Sequence, residues 1–301
     1  MKIKQSPEDF IVKEMLPDGF IKKKGKYKVY LLKKKGVTTS YCLNFIKQRF
    51  HEKIGYCGNK DKHALTYQYI TMQGGGDMQT KHFSLKFAGY SDKHLKRGMN
   101  KGNKFTIRVE ITPQEKRSIK EKLPAARKGF VNYFGPQRTG RETIKKSFTY
   151  FLLKGDYKTA LLRYYINKSK LANRELKKRY KECFKHWGDN EWCFNHLKGY
   201  EKNITIRPLK EKDYFHALKK IPKNEIEMLV ASYQALLWNK NPKPSLPVIK
   251  TPLMKARKGK RKVIVKPEKL SVRFEGNYAI FQFILPAGSY ATTLLNVFKI
   301  A

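Results

Sequence analysis

The chain has 301 residues, enough for one large or two modest domains with real cores. Lys and Arg number 66 against 24 Asp and Glu, a formal net charge of +42 spread from Lys2 to Lys299, which self-repels in a free globule and points to a polyanionic partner. Aromatics at 13% are too many for a disordered basic tail, and the lack of a long apolar run or a signal peptide argues against a membrane or secreted protein. Lysine abundance by itself does not separate RNA binding from a thermophilic or base-poor genome.

Residues 27–34 (Tyr-Lys-Val-Tyr-Leu-Leu-Lys-Lys) read as a strand with apolar cover on both faces. Thr38-Thr39-Ser40 then marks a helix start, with Leu43, Phe45, Ile46 and Phe50 as its core stripe. A charged, Gly-containing turn around Asp61 precedes a strand near 67–72, and Gly74-Gly75-Gly76 breaks the chain. Strands follow at 82–90 and 104–111, then a charged helix at 114–128 with Ile119 and Leu123 inward. From about 141 to 240 the texture is helical. One apolar face holds Ile144, Phe148, Phe151 and Leu152, a second Ala160, Leu161, Tyr164 and Tyr165, and a third Leu229, Tyr233, Leu236 and Leu237. Tyr164 and Tyr165 also stand among Arg163, Lys168 and Lys177, so they are expected on a basic, aromatic surface. Prolines 242, 244, 247 and 252 mark an extended connector, and the basic run 255–262 leads to strands near 262–266 and 271–274. Tyr278–Leu285 is the strongest strand signal in the chain. Strand-rich ends around a helical middle indicate an α+β sheet domain with an insertion.

Of the four cysteines (42, 57, 183 and 193), none has a secretory context, so free thiols are expected. Cys183-x2-His186 and Cys193-x2-His196 hold four potential zinc ligands, but the six residues between the pairs are few for a paired-ligand knuckle. We read them as packed helices around the turn Gly188-Asp189-Asn190, with no metal and no other cofactor.

The most informative stretch is Gly55-Tyr56-Cys57-Gly58-Asn59-Lys60-Asp61-Lys62-His63-Ala64-Leu65-Thr66-Tyr67-Gln68. An acid sits in a tight turn among two lysines and a histidine, where cations favour its ionised form and a glycine lets a substrate approach the backbone. A solvated hairpin turn would show the same local pattern. The segment resembles the catalytic motif of the TruD family of pseudouridine synthases. Five further blocks resemble that family in the same order: Lys4–Glu14, Leu95–Phe105, Val131–Arg138, Ser232–Asn239 and Leu285–Thr292.

The resemblance implies a mixed, largely antiparallel pseudouridine-synthase sheet with flanking helices, formed by 1–140 plus 255–301. It also implies that 141–254 is a much reduced, mainly helical form of the family's late insertion with a Pro-rich connector. Thr139 departs from the family's phenylalanine after Gln-Arg, and Asn296 from a charged residue. By the same resemblance Asp61 is the essential nucleophile or base, Lys4 its cationic partner, and Phe134 the aromatic that stacks on a flipped uridine. Asn132 would hold a base edge or the catalytic loop. Lys60, Lys62, His63, Arg97, Lys101 and Arg138, with Lys258, Lys260 and Arg261 of the basic run, are expected to bind RNA. The implied activity is conversion of uridine to pseudouridine in tRNA, first at position 13 of the D arm, by a cofactor-free, monomeric, cytoplasmic protein that binds no membrane. A non-catalytic RNA-binding or RNA-folding protein on the same fold is the alternative.

Overall fold

The structure, a computed structural model, describes residues 2, 3, 6–140, 142–171 and 173–299. Two units form: the residues up to Asn132 together with those from Ile264 onward, and Tyr133–Val263. In chain order the first contributes β1 (Lys2–Ile3), β2 (Phe10–Met15), β3 (Tyr27–Lys34), α1 (Thr39–Phe50), β4 (Gly55–Tyr56), β5 (Leu65–Met72), β6 (Met78–Gln79), β7 (Phe83–Ser91), β8 (Gly102–Glu110), α2 (Pro113–Lys128) and β9 (Phe130–Val131). The second contributes α3 (Pro136–Thr139), α4 (Phe148–Leu153), α5 (Tyr157–Leu171), α6 (Arg174–Lys185), α7 (Asn190–His196), α8 (Gly199–Glu211), α9 (Tyr214–Lys219) and α10 (Lys223–Lys240). The chain then returns with β10 (Ile264–Val265), β11 (Glu268–Glu275), β12 (Tyr278–Pro286) and α11 (Ala291–Val297).

The main sheet of the first unit runs β11-β12-β8-β2-β5-β3-β7-β6, with β1 on β8 and β4 on β5. Among the described residues the β2–β5 pair is parallel and every other pair antiparallel. Alternation explains the faces: Tyr30 and Leu32 of β3 and Ile70 and Met72 of β5 pack on Cys42, Leu43 and Ile46 of α1. Along β12, Ala279, Phe281, Phe283 and Leu285 are buried with Ile119 and Ala126 of α2 and Leu294 and Leu295 of α11. The mixed α+β fold expected from the sequence is therefore the one observed. The stripe of α1 needs one correction. Phe45 is 42% exposed, because two residues from Leu43 turn it about 200° round the helix, where it meets Phe83 edge-on.

The second unit has its own core of Phe148, Leu152, Ala160, Leu161, Tyr180, Val230 and Tyr233. Tyr164 and Tyr165 belong to it and are each 1% exposed, so they form no RNA-facing surface. Their hydroxyls are satisfied internally, Tyr164 donating to Glu225 Oε2 (2.9 Å) and Tyr165 to the Glu201 carbonyl (2.9 Å), which lets the rings follow the apolar face inward. The Cys/His segment packs as helices. Cys183 and Cys193 are buried, and the Cys193 thiol donates to the Cys183 carbonyl (3.5 Å). His186 and His196 stack on Trp192 at 4.1 and 3.6 Å. The Pro-rich connector is not simply extended. It folds back on the basic run through Leu246 N–H to the Gly259 carbonyl, Ala256 N–H to the Ile249 carbonyl and Arg261 N–H to the Pro244 carbonyl.

Candidate active site

Asp61 lies in the loop between β4 and β5, and the loop is tied down from four elements. Thr39, the first residue of α1, accepts from the Lys60 N–H (2.9 Å) and donates its hydroxyl to Gln68 Oε1 of β5 (3.1 Å). Gln68 Nε2 in turn donates to the Gly58 carbonyl (3.3 Å). Glu14 of β2, whose side chain is 0% exposed, holds Lys60 Nζ at 2.5 Å and accepts the Tyr69 N–H with its other oxygen at 3.0 Å. Lys34, at the end of β3, donates its ammonium to the Asp61 carbonyl (2.8 Å) and to the Val37 carbonyl (3.1 Å). The Asp61 carboxylate accepts the His63 N–H through Oδ1 (2.9 Å), an Asx turn that fixes the side chain against its own loop. Asp61 is half-buried, while Lys62 and His63 are exposed. A partly exposed carboxylate on a hydrogen-bonded loop, with exposed cationic and imidazole side chains beside it, has the chemistry of a nucleophile or a base. Cys57, four residues earlier, is buried, and burial pushes its thiol up to about 12, so it remains a neutral packing group at physiological pH.

The family model described as tRNA pseudouridine synthase D (TruD) matches residues 1–242. The chain belongs to the TruD family. It is 34% identical over 254 residues to tRNA pseudouridine synthase D of Leptospira interrogans, covering 79% of this chain and 62% of that protein. To the protein of the same name from Aquifex aeolicus it is 32% identical over 256 residues, covering 80% and 65%. The chain thus spans under two thirds of the length of these two relatives. A crystal structure from Methanosarcina mazei, described under the TruD name, superposes with a TM-score of 0.71 over 100% of this chain and 93% of that one. At 22% identity that likeness speaks for the fold.

The remaining TruD-type motif residues divide between the units. Asn132 is buried directly after β9 in the first. Phe134 stands in the second, with its N–H donating to Asn239 Oδ1 (2.8 Å) and its carbonyl accepting from Asn239 Nδ2 (2.9 Å). Its ring meets buried Trp238 edge-on at 5.6 Å and carries the Arg261 guanidinium 3.7 Å over its centre. Arg261 therefore packs against the candidate stacking aromatic. Arg138, Lys258 and Lys260 are exposed in the second unit. In the first, exposed Arg97 reaches the Tyr56 hydroxyl (3.4 Å), and Lys101 pairs with Asp18 (3.1 Å). Lys60, expected at phosphate, has Glu14 as its partner. Lys4 lies outside the described residues. Thr139 is buried, whereas Asn296 is exposed.

Sequence reasoning missed Lys34 and Thr39 as parts of the site. For Lys34 the signal was present, since alternation from Tyr30 and Leu32 puts it on the inward face of β3. Thr39 was read only as a helix start, and nothing in its neighbours marks a second bond to a loop twenty-one residues on.

Proposed function

We propose that this protein isomerises uridine to pseudouridine in tRNA, with Asp61 as the catalytic carboxylate. The observation that carries the reading is the loop itself, a half-buried carboxylate held by its own backbone while β2, β3, α1 and β5 fix the residues around it. Such positioning is what a reaction on one extruded base requires. The bond from ribose C1′ to uracil N1 breaks, the base rotates, and a bond from C1′ to C5 forms. The proton lost at C5 balances the one gained at N1, so no electrons are transferred and no redox partner is needed. Phe134 is assigned to stack on the flipped base, Asn132 to its edge or to the loop, and Lys4 to the charge of Asp61. Position 13 of the D arm is the first target we assign, and we infer a monomer acting in the cytoplasm. Residues 141–254 are read as a reduced form of the family's insertion. No helix among the described residues is long and apolar enough to cross a membrane.

The test is incubation with bulk tRNA, followed by mapping of pseudouridine through carbodiimide-dependent reverse-transcription stops. Wild-type protein should create a new stop. Asp61→Asn should abolish it while RNA affinity stays within a few-fold, because the amide keeps the shape and removes the nucleophile. Conversion by Asp61→Asn near the wild-type rate would sink the assignment.

A further inference from the structure

Lys34 has no assigned role, and its placement is unusual. Lysine is almost never fully buried without a paired acid, yet Lys34 is 0% exposed. Its ammonium donates to two backbone carbonyls, those of Asp61 at 2.8 Å and Val37 at 3.1 Å. Burying an ammonium is expensive unless the site is built to hold it. Two carbonyls aimed at one nitrogen from two different loops are such a site. One of those loops carries the proposed catalytic carboxylate and the other leads into α1, whose Thr39 holds Lys60.

We propose that Lys34 is the positioning residue of the reaction, a buried cation that fixes the Asp61 backbone and supplies positive potential behind its carboxylate when RNA covers the loop. The inference rests on the reading of Asp61 above. A carboxylate leaving water for a site closed by RNA loses hydration that must be replaced by fixed charge. Lys34 is placed to do that without approaching the substrate. The groups that act on its charge are Asp61 and Lys60 in the loop and Cys42 on α1. Burial is the largest influence and brings its ammonium down from 10.5 to about 8, with the Asp61 carboxylate opposing that shift. Burial also pushes the Cys42 thiol up, to about 11, so at neutral pH it is a neutral neighbour.

The pH dependence separates positioning from stability. Between about 8 and 10.5 the unfolded chain binds this proton more fully than the folded one, so the contribution of Lys34 to stability rises with pH in that window. Activity should run the other way, falling as the ammonium deprotonates. A structural lysine would give no such opposition.

The experiment measures single-turnover pseudouridine formation and RNA affinity for wild type, Lys34→Met and Asp61→Asn, with thermal melts across the same pH range. Lys34→Met is expected to slow the chemical step about 100-fold. Its RNA affinity should stay within about threefold, since the ammonium makes no phosphate contact. The wild-type alkaline limb near pH 8 should disappear in the variant. A Lys34→Met enzyme with wild-type turnover, or one that keeps that limb, overturns the inference. If Lys34→Met does not fold, the wild-type profile decides: a rate that stays level from pH 7 to 9.5 overturns it, and a fall near 8 without loss of thermal stability supports it. Activity in Asp61→Asn would instead fail the functional reading itself. A dead Asp61→Asn beside an active Lys34→Met fails only the role of Lys34.

Discussion

Lys60 shows how a single residue changes meaning when its partner is known. Beside Asp61 in a chain of net charge +42, it reads as a phosphate contact. Its side chain is only 10% exposed and lies against Glu14, which is wholly buried. Removing one member of such a pair leaves an uncompensated buried charge and costs about 3–5 kcal/mol. Lys60→Met should therefore lower the free energy of urea unfolding by that order, and the salt dependence of RNA binding should keep its slope. A phosphate-contacting lysine would do the reverse, lowering the slope by about one with little loss of stability. Lys62, exposed two residues on, is the natural control and should behave as the phosphate contact.

At the scale of elements, α1 links the sheet to the loop through two adjacent threonines with different tasks. Thr38 caps the helix, its hydroxyl accepting from the Tyr41 N–H at 3.1 Å. Thr39 holds Gln68 and the Lys60 N–H. Thr38→Ala should cost about 1 kcal/mol in unfolding free energy and leave turnover close to wild type. Thr39→Val leaves a buried amide oxygen and a loop N–H unpaired, costing about 2 kcal/mol, and should reduce turnover more than affinity. Equal turnover in the two variants would show that the loop does not depend on α1. The strand β12 was legible because its side chains alternate cleanly over nine residues, and β3 because its run of apolar residues covers both faces. The strand β2 was not, because Glu14 stands at an inward position where the pattern asks for an apolar residue. What makes a buried glutamate acceptable there is Lys60, 46 residues away, and no local pattern reports that. The candidate site divides the same way. Asp61 and Phe134 were singled out from motif residues, while the ties that hold the Asp61 loop in place run between segments distant in sequence.

At the scale of the whole molecule, charge and length set the last prediction. With 66 basic residues against 24 acidic ones, the protein should bind RNA chiefly by releasing counterions from the phosphate backbone. If it neutralises six or more phosphates, affinity for tRNA falls about 1000-fold or more between roughly 50 and 200 mM salt. Such binding gives affinity without sequence information, and specificity must then come from shape and from the extruded base. On the reading of 141–254 as a reduced insertion, this chain has less protein to grip the folded tRNA than relatives of which it spans 62% and 65%. Short stem-loops carrying the target uridine should therefore be modified at a measurable fraction of the rate on intact tRNA, with the difference narrowing at low salt where backbone contacts dominate. The comparison is a time course on both substrates at saturating protein. If fragments fail even there and only folded tRNA reacts, the smaller second unit has kept full tertiary recognition, and relaxed substrate choice is not a property of this protein.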